Sequence, residues 1–270
     1  MCDCSVQLLT QKLIPVRGFT KEEAPFTHAF WTCPEMIKII SDLTKIDMEP
    51  ALPYEIGHTN VQLGAKGREG LKDLPLCPTP VRPGWEEEKG EFDHVPVDNW
   101  HTDSFAYSTV MMLSNTDAMH GGETALQVPA DGTVRKLRGT KMGSCIFIQG
   151  KHIPHAALRA WNTGERITMV CPYRAGHPAL RDDTEITNSL QISYLNELYG
   201  QFSVERFKVI RKKCDYMIHR LEEDKKAALK KYPGDYNAVV MDRGEVKGMM
   251  EEMIRYLQVA HEQLGFDKED

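Results

Sequence analysis

The chain has 270 residues, of which 41% are hydrophobic and 27% charged, values typical of a globular protein large enough for one domain. Its formal net charge of −6 offers no basic surface for nucleic acid, and no apolar run approaches the length of a membrane span. Seven scattered cysteines, and an N-terminus without a basic and apolar stretch, lead us to expect reduced thiols, no secretory signal and a cytoplasmic location.

The first predicted element is a helix from Pro34 to Thr44, because a proline stands at its start and apolar residues recur with helical spacing. We expect this helix to cover the outer face of the main sheet. A strand follows from Tyr54 to Gln62, in which His58, Asn60 and Gln62 share one face. If that face points inward, we expect the two amides to hydrogen-bond a co-substrate or the substrate; a solvent-facing polar surface is the alternative.

Residues 64–99 contain several prolines and the acidic run Glu86-Glu87-Glu88, and they lead directly into His101. Long irregular stretches in compact domains are usually functional or disordered. We therefore expect a lid over a site that begins at His101. A flexible surface insertion is the alternative.

Candidate metal ligands begin at His101-Thr102-Asp103. Side chains at i and i+2 of an extended segment point to the same face, so His101 and Asp103 can reach one metal ion. Two imidazoles and one carboxylate form the facial triad that holds non-haem Fe(II) with positions open for other ligands. The second imidazole is provided by His155 or His152, after a predicted strand from Ser144 to Ile148 that turns at Gly150.

The segments around these ligands read as strands. Phe105 to Leu113 is rich in β-branched and aromatic residues. Gly121-Gly122 supplies positive φ for a tight hairpin that leads into a strand from Glu123 to Val128. In a further strand, Arg166 to Val170, Arg166 and Thr168 share one face and suit the two oxygens of a carboxylate.

The C-terminal part, about residues 186–265, has a helical pattern. We predict helices from Asn188 to Tyr199, from Val204 to Tyr232 and from Glu245 to Leu264, the last with a capping box at Asp242 and Glu245. The sequence Tyr232-Pro233-Gly234-Asp235 separates the last two. We expect a helical hairpin that packs on the sheet core or forms the contact of a homodimer.

Taken together, these motifs resemble the Fe(II)/2-oxoglutarate-dependent dioxygenase superfamily. The resemblance rests on His101-x-Asp103, Gly121-Gly122-Glu123-Thr124, His155 and Gly164-Glu165-Arg166-Ile167-Thr168. Tyr54 to Gln62 resembles a strand of a fungal branch with many members in specialised metabolism. The similarity covers about residues 50–185. It implies a mainly β fold with flanking helices and a double-stranded β-helix (jelly-roll) core, in a single domain over residues 1–270.

The resemblance implies that His101, Asp103 and His155 bind Fe(II), and that Arg166 and Thr168 hold the distal carboxylate of 2-oxoglutarate, with dioxygen as the third reactant. His155 is preferred over His152 because the family's distal histidine precedes the arginine by about this interval. An intact Asp103 favours hydroxylation, desaturation or ring formation over halogenation, for which a small residue replaces the carboxylate.

The sequence therefore favours an oxygenase that oxidises an unactivated C–H bond of a small molecule and releases succinate and CO2. The pocket candidates are Tyr54, His58, Phe105 and Tyr107. The alternatives are a protein or peptide side-chain hydroxylase, a non-catalytic jelly-roll binding protein, and a zinc hydrolase. A zinc hydrolase would have no use for Arg166 and Thr168.

Overall fold

The computed structural model describes residues 5–6, 13–63, 96–97, 99–117, 119–138, 141–161, 165–238 and 241–265. Most of the predicted lid, residues 64–95 and 98, lies outside these ranges. The strands are β1 (Ser5–Val6), β2 (Leu13–Arg17), β3 (Met48–Pro50), β4 (His58–Leu63), β5 (Tyr107–Met112), β6 (His120–Gly121), β7 (Thr124–Gln127), β8 (Val134–Leu137), β9 (Cys145–Ile148), β10 (His155–Ala157), β11 (Ala160–Trp161) and β12 (Glu165–Ala175). The helices are α1 (Pro25–Thr32), α2 (Pro34–Thr44), α3 (Thr187–Leu190), α4 (Leu195–Lys231) and α5 (Arg243–Gln263), with a 3-10 turn at Pro53–Glu55.

The largest layer is an antiparallel sheet in the order β1-β2-β4-β12-β5-β9, with β3 paired to β12. Its register places Thr168 of β12 between Asn60 of β4 and Met112 of β5. Two smaller antiparallel sheets, β10-β7-β8 and β11-β6, accompany it. The protein is thus mostly antiparallel sheet with flanking helices, as the sequence predicted.

The outer face of the large sheet packs against α1 and α2. Cys171 and Tyr173 of β12 are fully buried in one cluster with Trp31 and Ile40. The hydroxyl of Tyr173 donates a hydrogen bond to the carbonyl of Trp31 at 2.9 Å. The helix predicted from Pro34 to Thr44 is confirmed in both its bounds and its position.

Two predicted features, the start of one strand and one turn, differ in the structure. The strand expected from Tyr54 begins only at His58, because Pro53 to Glu55 form a 3-10 turn, whose first position accommodates the fixed φ of proline. The Gly121-Gly122 pair does not close a hairpin, since β6 pairs with β11 whereas β7 pairs with β10. With φ of 68° and 73°, the two glycines instead carry the chain from one small sheet to the other.

The C-terminal helices also differ from the prediction. The chain is continuously helical from Leu195 to Lys231, where a break near Gly200 was expected. Leu198 and Phe202, on either side of that glycine, are buried in one core cluster, and their packing outweighs the low helix propensity of glycine. The predicted N-terminal cap of α5 is confirmed, because the Asp242 side chain accepts hydrogen bonds from the amides of Gly244 and Glu245.

The two long helices, α4 and α5, contact each other through side chains. Arg206 of α4 donates to the carbonyl of Tyr256 of α5, and Cys214 of α4 lies 3.7 Å from Met253 of α5, measured between sulfur atoms. Within the described ranges, no helix combines the length and apolarity that a membrane crossing requires.

Candidate active site

A short antiparallel bridge places His101 beside His155. The amide of His101 donates to the carbonyl of His155 at 3.0 Å, and the amide of His155 donates back to the carbonyl of His101 at 2.8 Å. Directly opposed residues in such a pair project their side chains to the same side. The two imidazole rings accordingly lie 4.5 Å apart between centroids.

Asp103 joins this pair because it lies two residues after His101 in extended chain. Its amide donates to the carbonyl of Gly150 at 2.8 Å. Its Oδ1 is 3.3 Å from Nε2 of His155 and 3.8 Å from Nε2 of His101. The three side chains offer one ligand atom each, all within 4.8 Å of one another, which fits a divalent metal ion.

Hydrogen bonds fix the orientation of all three side chains. Nδ1 of His101 lies 2.8 Å from the carbonyl of Asn99, and Nδ1 of His155 lies 2.9 Å from the carbonyl of Ile153. Since a carbonyl can only accept, both Nδ1 atoms carry the proton and both Nε2 lone pairs are available to a metal. Ser108 donates to Oδ2 of Asp103 at 2.5 Å, which leaves Oδ1 as the ligand atom.

The electrostatics also suit a metal. Burial raises the pKa of Asp103, but when the imidazoles are protonated the hydrogen bond and charge of His155, together with the hydrogen bond of Ser108 and the charge of His101, outweigh it and hold that pKa below its ordinary value. The carboxylate is therefore an anion at neutral pH, the form in which it binds a cation.

The metal centre opens into a cavity of about 310 Å³. Arg166 and Thr168, on the inner face of β12, line this cavity and are almost completely buried. Nε of Arg166 donates to the carbonyl of Gly122 at 2.9 Å, which fixes the guanidinium group. A buried guanidinium with a hydroxyl two residues away suits a carboxylate, so these residues fit the distal end of a dicarboxylate such as 2-oxoglutarate.

Some of the other predicted site residues line the cavity and some do not. His58, Asn60 and Phe105 line the cavity. Gln62 lies opposite Arg166 on the same face, but it is only 3% exposed and does not line the cavity. His152, the alternative ligand to His155, is exposed and lies outside the cluster.

The structure does not bring Tyr54 or Tyr107 to the cavity. Tyr54 lies in the 3-10 turn and packs with Phe202 in a core cluster. Tyr107 faces α1 and α2, where it stacks on Phe147 with ring centroids 5.6 Å apart. The alternation that starts at His101 does not continue into β5, because the chain bends at residues 104–106 before the strand begins.

Sequence reasoning missed several cavity residues, namely Arg17, Glu55, Ser108, Asn188 and Ser189. Ser108 was missed because the bend at residues 104–106 reverses the parity, so that Ser108 and not Tyr107 faces Asp103. Arg17 and Ser189 form a hydrogen bond across 172 positions of sequence, and no local pattern reports such a contact.

No protein-family model matches this chain. No curated protein matches it either. Among solved structures, a 2OG-Fe(II) oxygenase-family oxidoreductase from Burkholderia pseudomallei is similar at 11% identity, with a TM-score of 0.41, over 62% of this chain and 70% of that one. A prolyl-4-hydroxylase from Pseudomonas putida is similar at 14% identity, with a TM-score of 0.31, over 63% and 77%.

A prolyl 4-hydroxylase from Phytophthora capsici is similar at 12% identity, with a TM-score of 0.36, over 91% of this chain and 78% of that one. Because these identities and TM-scores are low, the function of this chain has to be inferred from the chemistry of its own site.

Proposed function

We propose that the protein is an Fe(II)- and 2-oxoglutarate-dependent oxygenase that oxidises an unactivated C–H bond of a small molecule. His101, Asp103 and His155 would hold the iron. Arg166 and Thr168 would hold the distal carboxylate of 2-oxoglutarate. When bound, iron, 2-oxoglutarate and dioxygen supply an oxidant for hydroxylation, desaturation or ring formation and release succinate and CO2.

One observation carries this proposal: a fixed two-histidine, one-carboxylate cluster shares one cavity with a buried Arg–Thr pair. A zinc hydrolase would need the first feature and not the second. The triad alone leaves coordination positions open on the metal. If the Arg–Thr pair binds one carboxylate of a dicarboxylate, the other end of that molecule can occupy two of these positions.

The chain's own residues would perform the positioning. The carbonyls of Asn99 and Ile153 keep Nε2 of both histidines unprotonated, and Ser108 keeps Asp103 turned toward the metal. Phe105 and Val170 provide apolar surface in the same cavity, which limits the water that reaches the reacting carbon. The cavity volume of about 310 Å³ supports a small substrate.

The test is anaerobic titration of the metal-free protein with Fe(II) and 2-oxoglutarate, monitored by the visible charge-transfer band of their chelate. We expect a band that saturates at one equivalent of iron. Arg166→Met should weaken 2-oxoglutarate binding at least about tenfold, because a charge-assisted bidentate contact is lost. His155→Ala should abolish the band.

Two matched variants control for non-specific effects. His152→Ala removes a nearby exposed histidine, and Arg135→Met removes an exposed arginine of β8. Both should titrate like the parent. A folded parent protein that gives no band, or an Arg166→Met variant that binds 2-oxoglutarate normally, would contradict the proposed function.

A further inference from the structure

A second arginine, Arg17, lines the same cavity at some distance from Arg166. The register places Arg166 opposite Gln62 of β4, whereas Arg17 follows Val16, which lies opposite Thr59 of β4. The two arginines are therefore on strands either side of β4 and offset by about four residues, or about 13 Å along the strands. The two arginines therefore enter the cavity from different positions along the sheet.

Arg17 is held rigidly by Glu55. Nη1 of Arg17 donates to both carboxylate oxygens of Glu55 at 2.8 Å and lies 3.3 Å from the hydroxyl of Ser189. Ser189 itself donates to Glu55 at 2.6 Å, and Nδ1 of His58 lies 3.4 Å from the other oxygen. Glu55 is 1% exposed and its oxygens are taken by these groups, so it positions Arg17 and does not itself meet a ligand.

The two ionisable groups beside Arg17, namely Glu55 and His58, both have shifted pKa values. Burial raises the pKa of Glu55, but the charge of Arg17 and the hydrogen bonds from Ser189 and Arg17 outweigh this effect and hold the pKa below its ordinary value, so Glu55 is an anion. Burial and the charge of Arg17 lower the pKa of His58 to about 4, against smaller opposing effects of Glu55, Asn60 and Asp103. His58 is therefore uncharged at neutral pH.

The charges around the cavity cancel. Its charged lining residues, among those the structure describes, are two arginines and two carboxylates, namely Arg17, Arg166, Glu55 and Asp103. Fe(II) and the dianion of 2-oxoglutarate would add equal and opposite charge. Because uncompensated charge is costly in a partly buried site, a substrate without net charge is favoured.

We propose that Arg17 binds the carboxylate of a small zwitterionic substrate, an α-amino acid or a close derivative; this proposal rests on the oxygenase function proposed above. Nη1 of Arg17 is engaged by Glu55 and Ser189, so the contact with the substrate carboxylate would come from Nη2 of this guanidinium group, which the ion pair holds at one end of the cavity. Net neutrality then requires one cationic group, an ammonium, on the same ligand. Asn60, Asn188 and Ser189 line the cavity and offer oxygen acceptors to that ammonium.

The test compares three forms of each common amino acid: the free zwitterion, its methyl ester, which is a cation, and its N-acetyl derivative, which is an anion. Binding is measured by calorimetry on the anaerobic Fe(II)- and 2-oxoglutarate-loaded protein, and by saturation-transfer NMR on the metal-free protein. We expect at least one free amino acid to bind about tenfold or more tightly than both of its derivatives. The proposal is overturned if no free amino acid binds, or if a derivative binds as tightly as its free amino acid.

Variants assign the preference to Arg17. Arg17→Met with Glu55→Gln removes both charges, so neither is left buried alone. The chelate band should persist, while the free acid and its ester bind within about twofold of each other. Lys38→Met with Asp42→Asn removes an exposed ion pair and should leave the preference unchanged. A double variant that folds and keeps the preference overturns the proposal.

If the double variant does not fold, Arg17→Lys decides, because it keeps the charge and loses the planar fork. We expect it to weaken the free amino acid several-fold and the ester hardly at all, and equal affinity to the parent would overturn the proposal. Failure of the oxygenase function is recognised separately, since it removes the chelate band from the parent protein before any amino acid is added.

Discussion

A Cβ atom on Gly150 would lie 2.0 Å from Oδ2 of Asp103. The carbonyl of the same glycine accepts the amide hydrogen bond of Asp103 at 2.8 Å. Gly150 does not have a positive φ, so its conformation alone does not require glycine. The absence of a side chain is what lets the metal-binding carboxylate approach this strand end.

We therefore predict that Gly150→Ala weakens Fe(II) binding about 10- to 100-fold, because the added methyl group displaces Asp103 from its position beside Ser108. The measurement is a competitive metal titration of the folded protein. Gly200→Ala is the control, since a Cβ there meets nothing within 4 Å and lies on a helix. It should bind iron normally, and equal losses in the two variants would contradict the prediction.

Asn188 links α3 to the segment that carries the first two ligands. Its Nδ2 donates to the carbonyl of Thr102 at 2.6 Å, and its amide donates to the hydroxyl of Ser104 at 3.1 Å. We predict that Asn188→Ala weakens Fe(II) binding by roughly tenfold and changes the free energy of unfolding by less than about 1 kcal/mol, because the side chain is exposed. Asn196→Ala, which changes an exposed residue at the start of α4, should alter neither the Fe(II) affinity nor the free energy of unfolding. Unchanged iron affinity in Asn188→Ala would show that the Thr102 contact is dispensable.

The clustering of His101, Asp103 and His155 was predictable, because the residue types and their spacing indicate it. His101 and Asp103 are two residues apart in extended chain, and the Arg166–Thr168 pair repeats that spacing in β12. The part of the cavity lined by Arg17, Glu55 and Ser189 was not predictable, because these residues come from three distant segments whose contacts only the tertiary fold creates. Phe105 was placed correctly in the cavity, whereas the bend before β5 turned Tyr107 to the opposite face.

The buried carboxylate of Asp182 connects β12 to the C-terminal helices. It accepts hydrogen bonds from the hydroxyl of Tyr256 at 3.0 Å and the amide of Thr184 at 2.9 Å. Burial raises the pKa of Asp182, but the effects of Arg174, Thr184 and Arg206 outweigh it and hold that pKa below its ordinary value. Asp182 is therefore an anion. Asp182→Ala should lower the free energy of unfolding by about 1–3 kcal/mol, because the buried hydroxyl of Tyr256 loses its acceptor while Arg174 keeps Glu49 and Glu205.

The neighbouring Asp183 provides the comparison. It is partly exposed and pairs with Arg181 at 2.6 Å, a contact on the surface. Asp183→Ala should therefore change the free energy of unfolding by about 0–1 kcal/mol in urea titrations. Similar losses for both aspartates would mean that burial of Asp182 does not determine its contribution.

His58 gives the protein a defined response to acid. Its pKa is about 4 in the folded state against an ordinary 6.5, while Glu55, Arg17 and Asp103 face it. The unfolded chain therefore takes up a proton between pH 6.5 and 4 that the folded protein does not. The stability contributed by neutral His58 is complete above pH 6.5 and is lost as the pH falls through this window, by about 3 kcal/mol at most.

His58→Gln removes this titration and keeps a hydrogen-bonding group. We predict that the parent protein loses stability faster than the variant between pH 6.5 and 4.5, in urea titrations at matched ionic strength. Stability profiles that run parallel would place the pKa of His58 near its ordinary value in the folded protein.

Gly122 combines a conformational requirement with a contact to the co-substrate arginine. Its φ is +73°, and a Cβ there would lie 2.9 Å from the sulfur of Met119 and 3.2 Å from Cδ of Arg166. Gly132 has nearly the same conformation, with φ of +70°, but nothing lies within 4 Å of its would-be Cβ. The two glycines therefore separate backbone strain from displacement of Arg166.

We predict that Gly122→Ala weakens 2-oxoglutarate binding at least tenfold while Fe(II) binding is kept, as measured by the chelate band. Gly132→Ala should lower the free energy of unfolding by about 1–2 kcal/mol, the strain of a left-handed backbone alone, and leave 2-oxoglutarate binding unchanged. If both variants bind 2-oxoglutarate equally well, the position of Arg166 does not depend on Gly122. If only Gly122→Ala loses it, the space that the glycine leaves beside Arg166 is what keeps the guanidinium group in place.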